Sequence, residues 1–157
     1  MESFSYHAYV PFNRLRQDLE FLSTHEVHPE IRFAAEDLDS LKMKDVEKLA
    51  RELPTSLHVT VHGPYRDLSP GAFDRRVRVA TRERLEELLE VAEVLRARSA
   101  VCHLGYDPKL HPTHIDEWLQ NSAETWSHLA ETASNSGLRI ALENVYEDTP
   151  TLHRKLL

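Results

Sequence analysis

One cysteine, Cys102, in 157 residues leaves no internal disulfide framework and fits a reducing compartment. No apolar run approaches the ~20 residues of a membrane span. The opening stretch MESFSYHAYV has neither a basic segment nor a long apolar one, so no secretory leader is expected. The expected location is therefore the cytoplasm, with no membrane partner. Basic residues are in the minority: 19 Lys and Arg stand against 26 Asp and Glu, for a net charge of −7. An acidic chain has no general attraction for phosphate backbones, so nucleic acid is not the expected partner. Arg75, Arg76, Arg78, Arg82 and Arg84 do cluster, but RERLEELLE mixes both signs and reads as a solvated helix face. Glycine is missing after the first strand, where YVPFNR stands. That removes the phosphate loop an open nucleotide-binding sheet would carry there.

What is abundant is histidine, with ten copies. Imidazole is the commonest metal ligand and titrates near neutrality. Hydrophobic content of 41% is ordinary for a globular chain, and the length suits one domain, residues 1–157.

Strand-like and helix-like segments alternate. Phe4–Phe12, Glu30–Glu36, Leu57–His62, Ser99–His103 and Leu138–Asn144 read as strands. Between them lie helical stripes. Leu15, Leu19 and Leu22 form one. Leu41, Val46, Leu49, Ala50 and Leu53 form the next, stopped by Pro54. Residues 74–98 follow, with Val77, Leu85, Leu88, Ala92 and Leu95 inward. Ile115, Trp118, Leu119, Ser122, Trp126, Leu129 and Ala133 make the last, ended by Asn135, Ser136 and Gly137. Strand, loop, helix is the repeating unit, so the fold class is α/β with a parallel sheet covered by helices.

Three strand ends carry chemistry. His62 closes the third strand, His103 the fourth, and Glu143 nearly closes the fifth. Parallel strands put their carboxyl ends on one side of a sheet, where ligands bind in open α/β sheets and in barrels alike. In the third strand Val59 and Val61 face the helices, leaving His58, Thr60 and His62 on the other face. In the fifth, Ile140 and Leu142 do so, leaving Arg139, Ala141 and Glu143. Imidazoles and a carboxylate on an inner face are costly unless paired or bound to a metal. A divalent cation satisfies all three, and their ligand types suit zinc, manganese or iron. Each residue taken singly has a plainer reading, a backbone hydrogen bond for a histidine or an arginine partner for the glutamate. Convergence at three successive strand ends favours the site.

The other histidines carry less. His58 and His7 are expected to pack in the interior and support ligands, and His111 and His114 to lie on the surface. His25, His28, His128 and His153 give no signal. Cys102, Trp118 and Trp126 read as core, and Tyr65 either lines the mouth of the site or caps its loop.

VTVHGPYRDLSP, then RERLEELLEVAEVLRARSAVCHLGYDP, then GLRIALENVYED resemble the xylose isomerase-like TIM barrels, which include sugar-phosphate isomerases, epimerases and endonuclease IV-type AP endonucleases. The markers are H-x-P after the third strand, H-x-G after the fourth and L-E-N at the fifth, in that order. The resemblance implies a parallel (β/α) barrel of TIM type. A full barrel has eight β/α units in about 250 residues, so about five units, a partial barrel, are expected here. It further implies His62 and His103 as metal ligands or substrate-contacting histidines and Glu143 as a metal-bridging or catalytic carboxylate; the expected cofactor is a divalent metal, zinc or manganese, on His62, His103 and Glu143. Asn144 is implied as support for Glu143, and Tyr65, Asn144 and His7 are the expected substrate contacts. The implied activity is sugar or sugar-phosphate isomerisation or epimerisation on a small-molecule substrate. An AP endonuclease is the first alternative. The second is a non-catalytic half barrel that completes its open sheet by homo-oligomerisation.

Overall fold

A computed structural model of the chain describes residues 5–109, 113–147 and 149–156. Strand β1 (Tyr6–Pro11) runs through a 3-10 turn (Phe12–Arg14) into helix α1 (Leu15–Thr24). Strand β2 (Val27–Arg32) is followed by α2 (Ala35–Ser40) and α3 (Met43–Glu52). Then come β3 (Thr60–His62), α4 (Arg75–Val94), β4 (Ser99–His103), α5 (Ile115–Asn135), β5 (Arg139–Glu143) and α6 (Thr151–Leu156).

All five strands are parallel, in the order β1-β2-β3-β4-β5. Consecutive order decides between the two parallel architectures. An open doubly wound sheet reverses its strand order at a switch point, whereas a barrel wall adds each strand beside the last. The chain forms such a wall. Its convex face carries the core: Val10, Ile31, Val61, Ala100 and Cys102 from the strands, with Phe33 just after β2, pack on Leu15, Leu22, Val46, Leu88, Ala92 and Leu129 from the helices. A smaller cluster of Leu104, Trp118, Leu119 and Leu152 closes the α5–α6 end. Cys102 is buried in the main core, and burial pushes its thiol up to about 12, so it is an inert core residue.

The local signals explain the boundaries. Asp74 caps α4 by accepting the N–H of Arg76 at 2.7 Å. Gly137 ends α5 with φ +68°, letting Leu138 N–H return to the Ala133 carbonyl at 3.0 Å. The expected second strand, Glu30–Glu36, is displaced: β2 begins at Val27, and the chain turns helical at Ala35. The Asp37 carboxylate takes the Ala34 N–H at 2.7 Å and starts α2. Pro29 does not break β2. It sits opposite Ala8, below the β2–β3 ladder that starts at Glu30 and Thr60. Val77, expected inward, is 39% exposed, and Thr81 fills the core position one turn later by accepting the Ser69 N–H at 2.9 Å. Ile115 likewise stays at the surface, at the first turn of α5.

Candidate metal centre

The concave face of the wall is polar. From β2 it presents His28, Glu30 and Arg32, because Pro29 and Ile31 are buried on the other side. β3 adds Thr60 and His62, while β4 and β5 end on it with His103 and Glu143, which stand in register. No helix among the described residues is long and apolar enough to cross a membrane.

His62, His103 and Glu143 converge. One nitrogen or oxygen from each lies within 4.8 Å of the others. Glu143 Oε2 is 3.4 Å from His103 Nε2 and 3.7 Å from His62 Nε2, and the two imidazoles stand edge to face at 5.3 Å. His62 is the best fixed of the three. It is buried, and its Nδ1 lies 3.0 Å from Glu30 Oε1. Glu30 is acceptor-only when ionised, so Nδ1 carries the proton and the Nε2 lone pair points at the other two groups. That Nε2 is shielded from solvent and has no hydrogen-bond partner among the described residues. A shielded lone pair facing a second imidazole and a carboxylate is the donor set a divalent cation takes, with the carboxylate behind His62 as its orienting partner. Burial, then the neighbouring His62, holds the His103 pKa below its ordinary value, although Glu143 and Glu147 pull it up. The neutral, ligating form is thereby favoured.

Aromatic rings wall the site. Tyr65 stacks on His103 at 4.2 Å with the planes 10° apart, and Tyr9 stands edge-on to His62 at 5.5 Å. Desolvation raises the Tyr9 pKa, against the pull of Arg32. Beside the triad lies a cavity of about 440 Å³, lined in part by Tyr65, His103, Tyr106, Val145 and Tyr146.

The expected residues therefore divide. His62, His103, Glu143 and Tyr65 are brought together. Asn144 follows Glu143, but its amide donates to the Glu147 carbonyl at 3.4 Å rather than supporting the carboxylate. His7 stands at the amino end of β1 against His28, at 5.2 Å, and His28 in turn meets His58 at 4.5 Å. This second histidine group lies at the opposite end of the strands from the triad. His114 is exposed, and His111 lies outside the described residues. Glu30 and Arg32 were missed in the sequence. The alternation of His28, Glu30 and Arg32 in VHPEIRF marks them, but Pro29 hides the strand that carries it.

A parallel β/α wall with two imidazoles and a carboxylate gathered at its carboxyl rim defines a class of barrel proteins. The chain belongs to the xylose isomerase-like TIM barrel family, whose model matches residues 19–154. It is 36% identical over 89 residues to the uncharacterized protein MJ1311 of Methanocaldococcus jannaschii, covering 57% of this chain and 30% of that one. Among solved structures it is similar to the TTHB071 protein of Thermus thermophilus, soaked with ZnCl2. The TM-score there is 0.83 at 26% identity, over 98% of this chain and 62% of that one. A D-tagatose 3-epimerase-like protein superposes with a TM-score of 0.77 at 24% identity, over 98% of this chain and 60% of that one. A D-psicose 3-epimerase crystallised with D-fructose gives 0.76 at 14% identity, over the same shares, 98% and 60%. These last two likenesses establish the fold. The chain spans about three fifths of these structures and under a third of the curated relative.

Proposed function

We propose that the chain carries the metal-binding half of a sugar isomerase or epimerase centre, with His62, His103 and Glu143 holding a divalent cation, zinc or manganese. The observation that carries this reading is the convergence of those three donors at the rim, within 4.8 Å of one another. The epimerase structures of the same fold support the substrate class, and the zinc soak of the TTHB071 protein supports the metal. When bound, the cation supplies Lewis-acid polarisation of a substrate carbonyl and its neighbouring hydroxyl. Glu30 fixes the tautomer of His62, and Tyr65, stacked on His103, offers its outer face to the sugar ring or chain. Glu143 holds its carboxylate at the reacting carbons, either as ligand or as the group that moves the proton next to the carbonyl.

The test incubates the manganese-loaded chain with a panel of keto-sugars in deuterated water, and in parallel with DNA containing an abasic site. Deuterium entering the sugar at the carbon beside the carbonyl supports the reading. Strand cleavage without exchange favours the phosphodiesterase alternative. A further reading, association of two copies over the open concave face, is favoured by the exposure of Tyr9 at 53% and Tyr146 at 62%. Solution mass measurement tests it, and a monomer at all concentrations counts against it.

A further inference from the structure

Arg32 has no place in the chemistry described so far. It ends β2, in register with His62 on one side and Pro11 on the other, and shares the concave face with Glu30. Its side chain makes no hydrogen bond or ion pair among the described residues, and its Nε is shielded from solvent without an acceptor. The two carboxylates of this face are engaged elsewhere: Glu30 on His62, and Glu143 between the two imidazoles. Thr60 Oγ1, on the same face, is also shielded and unpartnered. A guanidinium kept half out of water with an orphan donor carries a desolvation cost that an incoming acceptor offsets. Its planar fork matches the two oxygens of a phosphate or carboxylate better than a single hydroxyl. In a chain of net charge −7, a local cation on this face favours the approach of an anionic substrate.

We infer that Arg32 is the specificity-determining residue of this centre, and that it selects a sugar bearing an oxyanion, phosphate or carboxylate, over a neutral sugar. The inference rests on the sugar-isomerase reading for the nature of the carbon skeleton, while the anion preference follows from Arg32 itself. A structural arginine at this position would be expected to engage one of the carboxylates beside it.

Inorganic phosphate is the probe. It is titrated calorimetrically into the wild-type chain and into R32M and R32K, each with and without manganese. In at least one of the two states R32M weakens phosphate binding by about tenfold or more, and R32K, which keeps the charge but not the fork, falls between. Manganese affinity stays unchanged in both variants. In competition, a ketose phosphate or a sugar acid displaces phosphate more effectively than the neutral ketose, and which of the two does so identifies the oxyanion. Equal phosphate affinity of wild type, R32M and R32K in both states would overturn the inference, as would equal displacement by the neutral sugar. Should R32M fail to fold, R32K alone carries the comparison. Loss of manganese binding in H62A tests the metal reading separately, and the manganese-free titrations read Arg32 apart from the metal.

Discussion

Glu30 offers a test of how the site is held. Its carboxylate lies 3.0 Å from His62 Nδ1, with the Glu30 and His62 side chains 26% and 7% exposed. The bond fixes the ring orientation and holds the proton on Nδ1, which leaves the Nε2 lone pair facing the other two donors. Losing such an outer partner of a ligating imidazole costs about 10- to 100-fold in metal affinity. That corresponds to about 1.4–2.8 kcal/mol. Glu30→Gln keeps the volume and one acceptor oxygen but loses the charge, so the lower end of that range applies. Glu30→Ala frees the ring as well, and the upper end applies. Competition for zinc against a chromophoric chelator near neutral pH reads both, with His62→Ala as the reference for full loss of a ligand. The reasoning is refuted if both Glu30 variants bind zinc as tightly as wild type while His62→Ala does not.

Two further outcomes follow from packing and charge. Gly71→Ala should destabilise the chain by about 1–3 kcal/mol through overpacking, because a Cβ there would lie 2.5 Å from the fully buried Trp118 ring. Urea unfolding followed by tryptophan fluorescence measures it. The amino-end histidines should make stability fall with acid. Burial first, then His28 for His7 and Arg98 for His58, hold both pKa values below the ordinary 6.5, while Glu30 opposes the shift at His7. The unfolded chain then takes up protons at higher pH than the folded one. Stability is lost as pH falls through about 6.5 and levels off below the folded values. Melting temperature against pH should show this slope, reduced in a His7→Gln, His58→Gln double variant.

The rim was readable in the sequence because period-two alternation and strand ends are local properties. His103 closes β4 at the boundary its flanking residues mark, and the alternation in LRIALEN puts Glu143 opposite the core-facing Ile140 and Leu142. Glu30 was not readable. Its link to His62 spans 32 positions and depends on the register of β2. Pro29 and the Asp37 cap shift that strand away from where its apolar pattern alone would set it. The His7, His28 and His58 group was hidden for the same reason, since His28 joins it only when β2 starts at Val27. Thr81 shows the other limit: a polar residue took a core slot because a distant backbone N–H needed its hydroxyl.

An anomalous-scattering map of crystals grown with zinc shows whether His62, His103 and Glu143 share one ion. One peak is expected between His62 Nε2, His103 Nε2 and the Glu143 carboxylate, at about 2.0–2.2 Å from each donor. A zinc-saturated crystal with no peak there, or with its strongest peak among His7, His28 and His58, would contradict it.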